Sequence, residues 1–207
     1  MSAVGKHINI STYQPFNNKA MIYPIVGYGS PVLRKIAEPI TADYPDLKQL
    51  IEDMFETMYA ADGVGLAAPQ IGLSIRLVVI GYPPYDEETK TYGETPIEHI
   101  LINPEIIEGV GEKQYYNEGC LSIPEIHEDV LRPEGVVMHW FDADWNEHTE
   151  EIHGMFARVA QHEIDHLDGK VFTDRLSPLR RTMIKRKLND VAAGKVRTLY
   201  RMARTNK

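Results

Sequence analysis

The segment from Met155 to Gly169 carries His162-Glu163-Ile164-Asp165-His166 on a helical pattern, and no other stretch restricts the fold and chemistry of the chain as tightly. Met155, Phe156, Val159, Ala160, Ile164 and Leu167 recur at helical spacing, and Gly169 supplies a stop. At 1.5 Å rise per residue the two histidines stand about 6 Å apart along one face, which suits two imidazoles binding one metal ion. Glu163 lies about 100° around the helix from His162, so it need not be a ligand and can reach a metal-bound water as a base. A lone histidine here would read as a packed core residue. The pair, with a glutamate beside it, reads as a metal site.

Two ligands do not make a stable site, so the rest of the chain must supply a third. Downstream acids or histidines are the usual source in zinc peptidases, but beyond His166 there is no histidine and no glutamate, and the only acids are Asp168, Asp174 and Asp190. Asp168 is too close along the same helix end to complete the site comfortably. Upstream, the single cysteine, Cys120, sits in Glu118-Gly119-Cys120-Leu121-Ser122, where small neighbours let a backbone approach a bound ion. On its own such a thiol reads as a buried apolar filler; beside H-E-x-x-H it is the better third ligand. A lone cysteine also needs no oxidising compartment.

Gly63-Val64-Gly65-Leu66-Ala67-Ala68-Pro69-Gln70 is the third feature. Its glycines permit close backbone approach, Ala67 and Ala68 permit tight packing, and Gln70 offers a neutral amide that can donate to an oxyanion. The segment has neither the lysine of a phosphate loop nor a full G-x-G-x-x-G pattern, which argues against nucleotide binding.

The 207 residues are 43% apolar, enough for one compact unit with a real core. A first helix follows Pro45-Asp46, with Leu47, Leu50, Ile51, Met54, Phe55 and Met58 on one stripe, and ends near Ala61 to Gly63. Extended segments are expected at Arg76 to Tyr82, His99 to Ile107 and Val136 to Asp142, separated by turns at Pro83-Pro84, Gly109 to Gly111 and Asp144 to Glu147. A last helix starts at Ser177-Pro178 and reaches about Ala193-Gly194. Strands before helices suggest an α+β fold. Residues 1–20 read as a loosely ordered leader, with Met21 as an alternative start. No apolar run approaches the roughly 20 residues of a membrane span, and no secretory signal is evident, so a cytoplasmic protein is expected.

The net charge of −8 conceals a division: residues 1–174 hold 11 basic and 29 acidic groups, and residues 175–207 hold 11 and 1.

Taken together and in this order, GVGLAAPQ, EGCLS and HEIDH resemble the three signature motifs of the peptide deformylase family. The resemblance extends to Tyr23-Pro24-Ile25 with Gly29 to Arg34, and to Gly169 through Ser177, covering roughly residues 21–190. It implies small mixed or antiparallel sheets around a central metal helix, with a C-terminal helix, a catalytic domain over residues 21–194 and a basic tail over 195–207. It also implies removal of the formyl group from the N-formylmethionine of new polypeptides, with release of formate. Cys120, His162 and His166 would bind one divalent metal, Fe(II) physiologically, with zinc, nickel or cobalt able to take its place. Metal-bound hydroxide would attack the formyl carbon, and Glu163 would shuttle the proton to the departing amine. The oxyanion would be held by the metal, the Leu121 N–H and the Gln70 amide. A tight Gly63, Val64 and Gly65 edge would exploit the smallness of formyl, and Val64 and Gly65 could also pair with an extended peptide. Met155 and Val159, on the His162 face of the helix, would line the methionine slot, with Arg158 at its rim. Glu118 and Arg132 match a pair that steadies the cysteine loop, and His127 stands where some relatives carry arginine.

Two other readings compete. A H-E-x-x-H peptidase cutting ordinary peptide bonds lacks its downstream ligand, and an RNA-binding protein with a structural metal lacks both a fourth ligand and an RNA-reading motif. The basic end is nonetheless a candidate for docking on ribosomal RNA beside the enzyme's substrate, the formylmethionyl nascent chain. Membrane partners are not expected, and nothing in the sequence reports an oligomeric state.

Overall fold

The computed structural model describes residues 20–86 and 88–203. The expected leader thus lies outside the described residues except for Ala20, as do residues 204–207 of the expected tail.

Helix α1 (Leu47–Ala60) is followed by β1 (Gly65–Ala67), β2 (Leu77–Tyr82), the short β3 (Tyr85–Asp86) and β4 (Thr91–Tyr92), and the long β5 (Ile97–Cys120) and β6 (Ile123–Phe141). Strand β7 (Glu147–Ile152) leads into α2 (Gly154–Leu167) and then α3 (Pro178–Ala192). Five strands form one antiparallel sheet in the order β1-β2-β5-β6-β7, and β3 and β4 pair separately. The architecture is α+β, as expected.

The uninterrupted apolar run of β2 follows from its position between two helices. Leu77 and Val79 pack into the cluster that holds Met54 and Met58 of α1, whereas Val78 and Ile80 pack into the cluster that holds Ala160 and Ile164 of α2. Both faces are covered, so both sets of side chains must be apolar. Each fully buried aliphatic side chain of this kind stabilises the fold by about 1.5–3 kcal/mol. The β6 residues Ile123, Ile126 and Val130 join Ile184, Leu188 and Val191 of α3 in a third cluster. Ser177 caps α3 by accepting from the Arg180 N–H, and Pro178 opens it.

Two expectations for the long strands are corrected. No turn forms at Gly109 to Gly111, and β5 runs through it to Cys120, far beyond Ile107. Gly111 takes φ +75° where the β5/β6 register shifts between Val110 and Lys113, so it marks a bulge. Likewise β6 begins at Ile123 rather than Val136. The β5–β6 hairpin therefore reaches well past the main sheet, and its tip carries Cys120.

Candidate metal centre

Cys120 is the last residue of β5. A two-residue turn, Leu121-Ser122, connects it to β6, with Cys120 paired to Ile123. A register shift between Glu118 and Cys120 re-aims the thiol toward α2. Helix α2 supplies His162 and His166 one turn apart, both buried. The Cys120 Sγ lies 3.2 Å from His166 Nε2, and one ligand atom from each of Cys120, His162 and His166 falls within 4.8 Å of the others. Donors around a tetrahedral zinc-sized ion stand about 3.4–3.6 Å apart, so a thiolate and two imidazoles converge here at the spacing one ion requires. Burial pushes the His166 imidazole down to about 3, which keeps it neutral, the form that ligates. Asp168 is absent from the cluster; it pairs with Arg76 and Lys170.

Behind these groups lies a buried ionic network. Glu118 accepts from His162 Nδ1 at 2.9 Å and from Arg132 Nε and Nη2 at 2.7 and 2.9 Å. Arg132, whose side chain is 0% exposed, also donates to Asp165 at 2.7 Å and to the Gln161 carbonyl. Asp165 in turn holds Arg175 through both carboxylate oxygens. A guanidinium this deep is tolerable only with its donors satisfied. Burial pushes the Glu118 carboxyl up, but hydrogen bonds from His162 and Arg132 outweigh it and hold the group at about 2. The occupied Nδ1 leaves Nε2 of His162 for the cysteine side of the cleft.

Glu163 is buried beside the cluster, and its Oε2 has no hydrogen-bond partner among the described residues. Burial raises its carboxyl to about 7, where it can both take and give a proton near neutrality. Gly65 explains itself here: a Cβ at that position would meet Glu163 Oε1 at 2.5 Å and Val159 Cγ1 at 2.6 Å. Gln70 is buried and oriented, since its Oε1 accepts from the Ala67 N–H at 2.8 Å. Its amide nitrogen consequently faces Cys120 Sγ at 3.6 Å and Ser122 Oγ at 3.4 Å. A cleft of about 680 Å³ opens over the cluster, bringing together all the expected contact residues: Gly63, Val64, Gly65, Gln70, Leu121, Met155 and Val159. Arg158 and His127 also line it.

A family model described as polypeptide deformylase matches residues 22–182. The peptide deformylase of Christiangramia forsetii is 47% identical over 187 residues, covering 88% of this chain and 95% of that one. The chain belongs to the polypeptide deformylase family. Among solved structures, a peptide deformylase from Legionella pneumophila superposes with a TM-score of 0.71 at 41% identity, covering 86% of this chain and 99% of that one. The Met-Ala-Ser-bound class I type b peptide deformylase from Acinetobacter baumannii gives 0.68 at 32% identity, covering 76% and 99%.

Several residues of this deformylase cleft were not singled out from sequence. Asp165 and Arg175 had no assigned role, yet they complete the Arg132 network. Arg158 donates to Glu118 at 3.2 Å and lies over the Tyr116 ring as well as marking the rim. The segment after α3 folds back instead of leaving the body: Ile25 N–H donates to the Arg201 carbonyl, Ala203 N–H donates to the Ile25 carbonyl, and Arg197, Thr198 and Tyr200 line the cleft. Tyr200 is an aromatic residue in a basic segment beyond the matched family region. Its apolar neighbours Val196 and Met202 were the one local hint that this segment packs.

Proposed function

We propose that the Cys120, His162 and His166 cluster is the catalytic centre of a peptide deformylase that hydrolyses the formyl amide of N-formylmethionyl nascent chains to formate and a free amine. The observation that carries this reading is the convergence of the three ligand atoms beside a buried carboxylate with an unpartnered oxygen. The chemistry of the donor set fits a first-row divalent ion, and we assign ferrous iron as the resident one. Such an ion supplies Lewis acidity and an activated water.

The chain's own residues do the rest. Glu163 Oε2 takes the proton of the attacking water and passes it to the amine nitrogen as the C–N bond breaks, a base that becomes an acid. Gln70 Nε2, fixed by the Ala67 N–H, and the Leu121 N–H donate to the formyl oxygen as it becomes negative. The Gly63, Val64 and Gly65 edge leaves space for a carbonyl carbon that bears only hydrogen. Met155 and Val159 form the apolar wall for the methionine side chain, and Val64 and Gly65 offer backbone pairing to the residues that follow. The Met-Ala-Ser bound to the Acinetobacter enzyme supports a peptide beginning with methionine as the occupant. A cytoplasmic, reducing location suits a free thiol that must stay available as a ligand.

The catalytic unit, expected over residues 21–194, is extended to include the strap at 195–203, whose Arg197, Thr198 and Tyr200 line the cleft, and the exposed basic face of α3 is read as a docking element for ribosomal RNA. Arg175 and Arg180 do not belong to that face, because they are engaged by Asp165 and Glu128; Arg181, Lys185, Arg186 and Lys187 are exposed.

The test uses anaerobic, Fe(II)-loaded protein with formyl-, acetyl- and unmodified Met peptides. Formate release from the first alone, without backbone cleavage, is expected. No formate with metal loading verified would defeat the assignment, and cleavage of the unmodified peptide would favour a peptidase.

A further inference from the structure

The turn that carries the Leu121 N–H is held from several sides. Before it, Cys120 Sγ sits against His166 Nε2. After it, the Ser122 carbonyl accepts from the Tyr28 N–H at 2.8 Å. Its middle carbonyl, that of Leu121, accepts a 2.7 Å hydrogen bond from the phenol of Tyr200, 79 residues away in sequence. Neither Leu121 nor Ser122 has a positive φ; the Leu121–Ser122 peptide shares the Leu121 Cα with the Cys120–Leu121 peptide that carries the Leu121 N–H, so anchoring the Leu121 carbonyl restrains how that N–H is presented. The Tyr200 phenol is that anchor.

The segment bearing Tyr200 is built to stay in place. Gly194, at φ +65°, turns the chain after α3, and the Lys195 N–H bonds back to the Asp190 carbonyl. Val196 then packs against the α3 cluster, and Tyr200 and Met202 pack against the α1 cluster. Met202 bridges in parallel to Ile25, flanked by the two backbone hydrogen bonds described above. Tyr200 is therefore presented from a docked strap that is also one wall of the cleft.

We infer that Tyr200 is a positioning residue for deformylation: through the Leu121 carbonyl it holds the Leu121-Ser122 turn, and with it the Leu121 Cα, so that the Leu121 N–H meets the developing oxyanion. The inference rests on the deformylase reading above. Because oxyanion donors act more strongly on the transition state than on the ground state, loss of the anchor lowers kcat more than it raises KM.

Tyr200→Phe keeps the ring and its packing while removing the hydroxyl, and Tyr200→Ala removes both. For the metal-loaded Phe variant, the expected result is a kcat on a short formyl-Met peptide about three- to tenfold lower, the scale of one hydrogen bond. KM should stay within about twofold on the same reasoning, with metal content and thermal midpoint like wild type. Amide exchange at Leu121 and Ser122 in the zinc-loaded form should accelerate while α1 and α2 amides do not. The Ala variant should show the same kcat loss plus a lower thermal midpoint. Unchanged kcat and turn exchange in the Phe variant would overturn the role, as would a loss that tracks metal content or melting. A wild-type protein that releases no formate would overturn the deformylase reading itself, together with this role.

Discussion

Glu118 and His162 meet side chain to side chain at 2.9 Å, with both groups buried, and the bond is made by the Nδ1 nitrogen of the imidazole. Among the described residues His166 has no equivalent partner, for its Nδ1 is buried without one. One ligand of the pair is thus, among the described residues, oriented from behind by a carboxylate and the other is not. The carboxylate is itself fixed by Arg132, so orientation of His162 passes back into β6 and from there to Asp165 and Arg175.

Glu118→Gln should consequently loosen the metal more than a surface change could. The expected result is about 10- to 100-fold weaker metal affinity in a competitive chelator titration, the usual cost of losing such a partner. A lower thermal midpoint should accompany it, because buried Arg132 loses one of its two charge partners and keeps only Asp165. Wild-type affinity in the variant would show that the carboxylate does not orient His162.

Gly65→Ala tests the close approach of β1 to the candidate base. The new methyl would stand 2.5 Å from Glu163 Oε1 and 2.6 Å from Val159 Cγ1, so one of them must move. A misplaced base is expected to lower kcat by about 100-fold, with metal content retained. Steady-state formate release checks this, and unchanged turnover would mean that the strand yields instead.

Acid should unlock the buried network. Burial raises the Asp165 carboxyl, but Arg175 and Arg132 bring it below the ordinary range, and Glu118 is held at about 2. Both folded values are depressed, so this stability is fully present above the unfolded pKa near 4.5 and is lost as pH falls toward about 2. The thermal midpoint of the wild type should drop steeply over that window, and Asp165→Asn should drop less from a lower starting point. Parallel curves for the two proteins would contradict the linkage.

The basic face of α3 predicts salt-sensitive ribosome binding. Replacing Arg181, Lys185 and Lys187 by glutamate should weaken binding and flatten its salt dependence, each lost phosphate contact removing about 0.7–0.9 from the log–log slope. Formate release from a short peptide should be unaffected. Unchanged sedimentation with ribosomes would remove the docking proposal without touching catalysis.

The metal helix was legible because its apolar period and its ligand spacing are both local properties of one segment, and Cys120 followed once the downstream acids had been ruled out. The hairpin that presents Cys120 was harder to see. Residues 124–132 of β6 alternate buried and exposed, but Glu128 and Arg132 occupy buried positions where an apolar residue would have signalled a strand. From Gly111 to Asn117, β5 is mostly exposed and has no apolar face to reveal it. The glycines at 109 and 111 looked like a turn because a bulge and a turn use the same residue. Tyr200 was beyond reach for a different reason: its bond to Leu121 spans 79 residues, and no local pattern encodes such a contact.

The central claim is that a metal-centred formyl hydrolysis uses Glu163 as its proton carrier. Its most direct test is formate release from a formyl-Met peptide by wild type and Glu163→Ala side by side, each with bound metal quantified. The account predicts that the variant keeps its metal and loses nearly all turnover, about 100-fold or more on the scale of general acid–base catalysis. Full activity in a metal-loaded Glu163→Ala protein would contradict it.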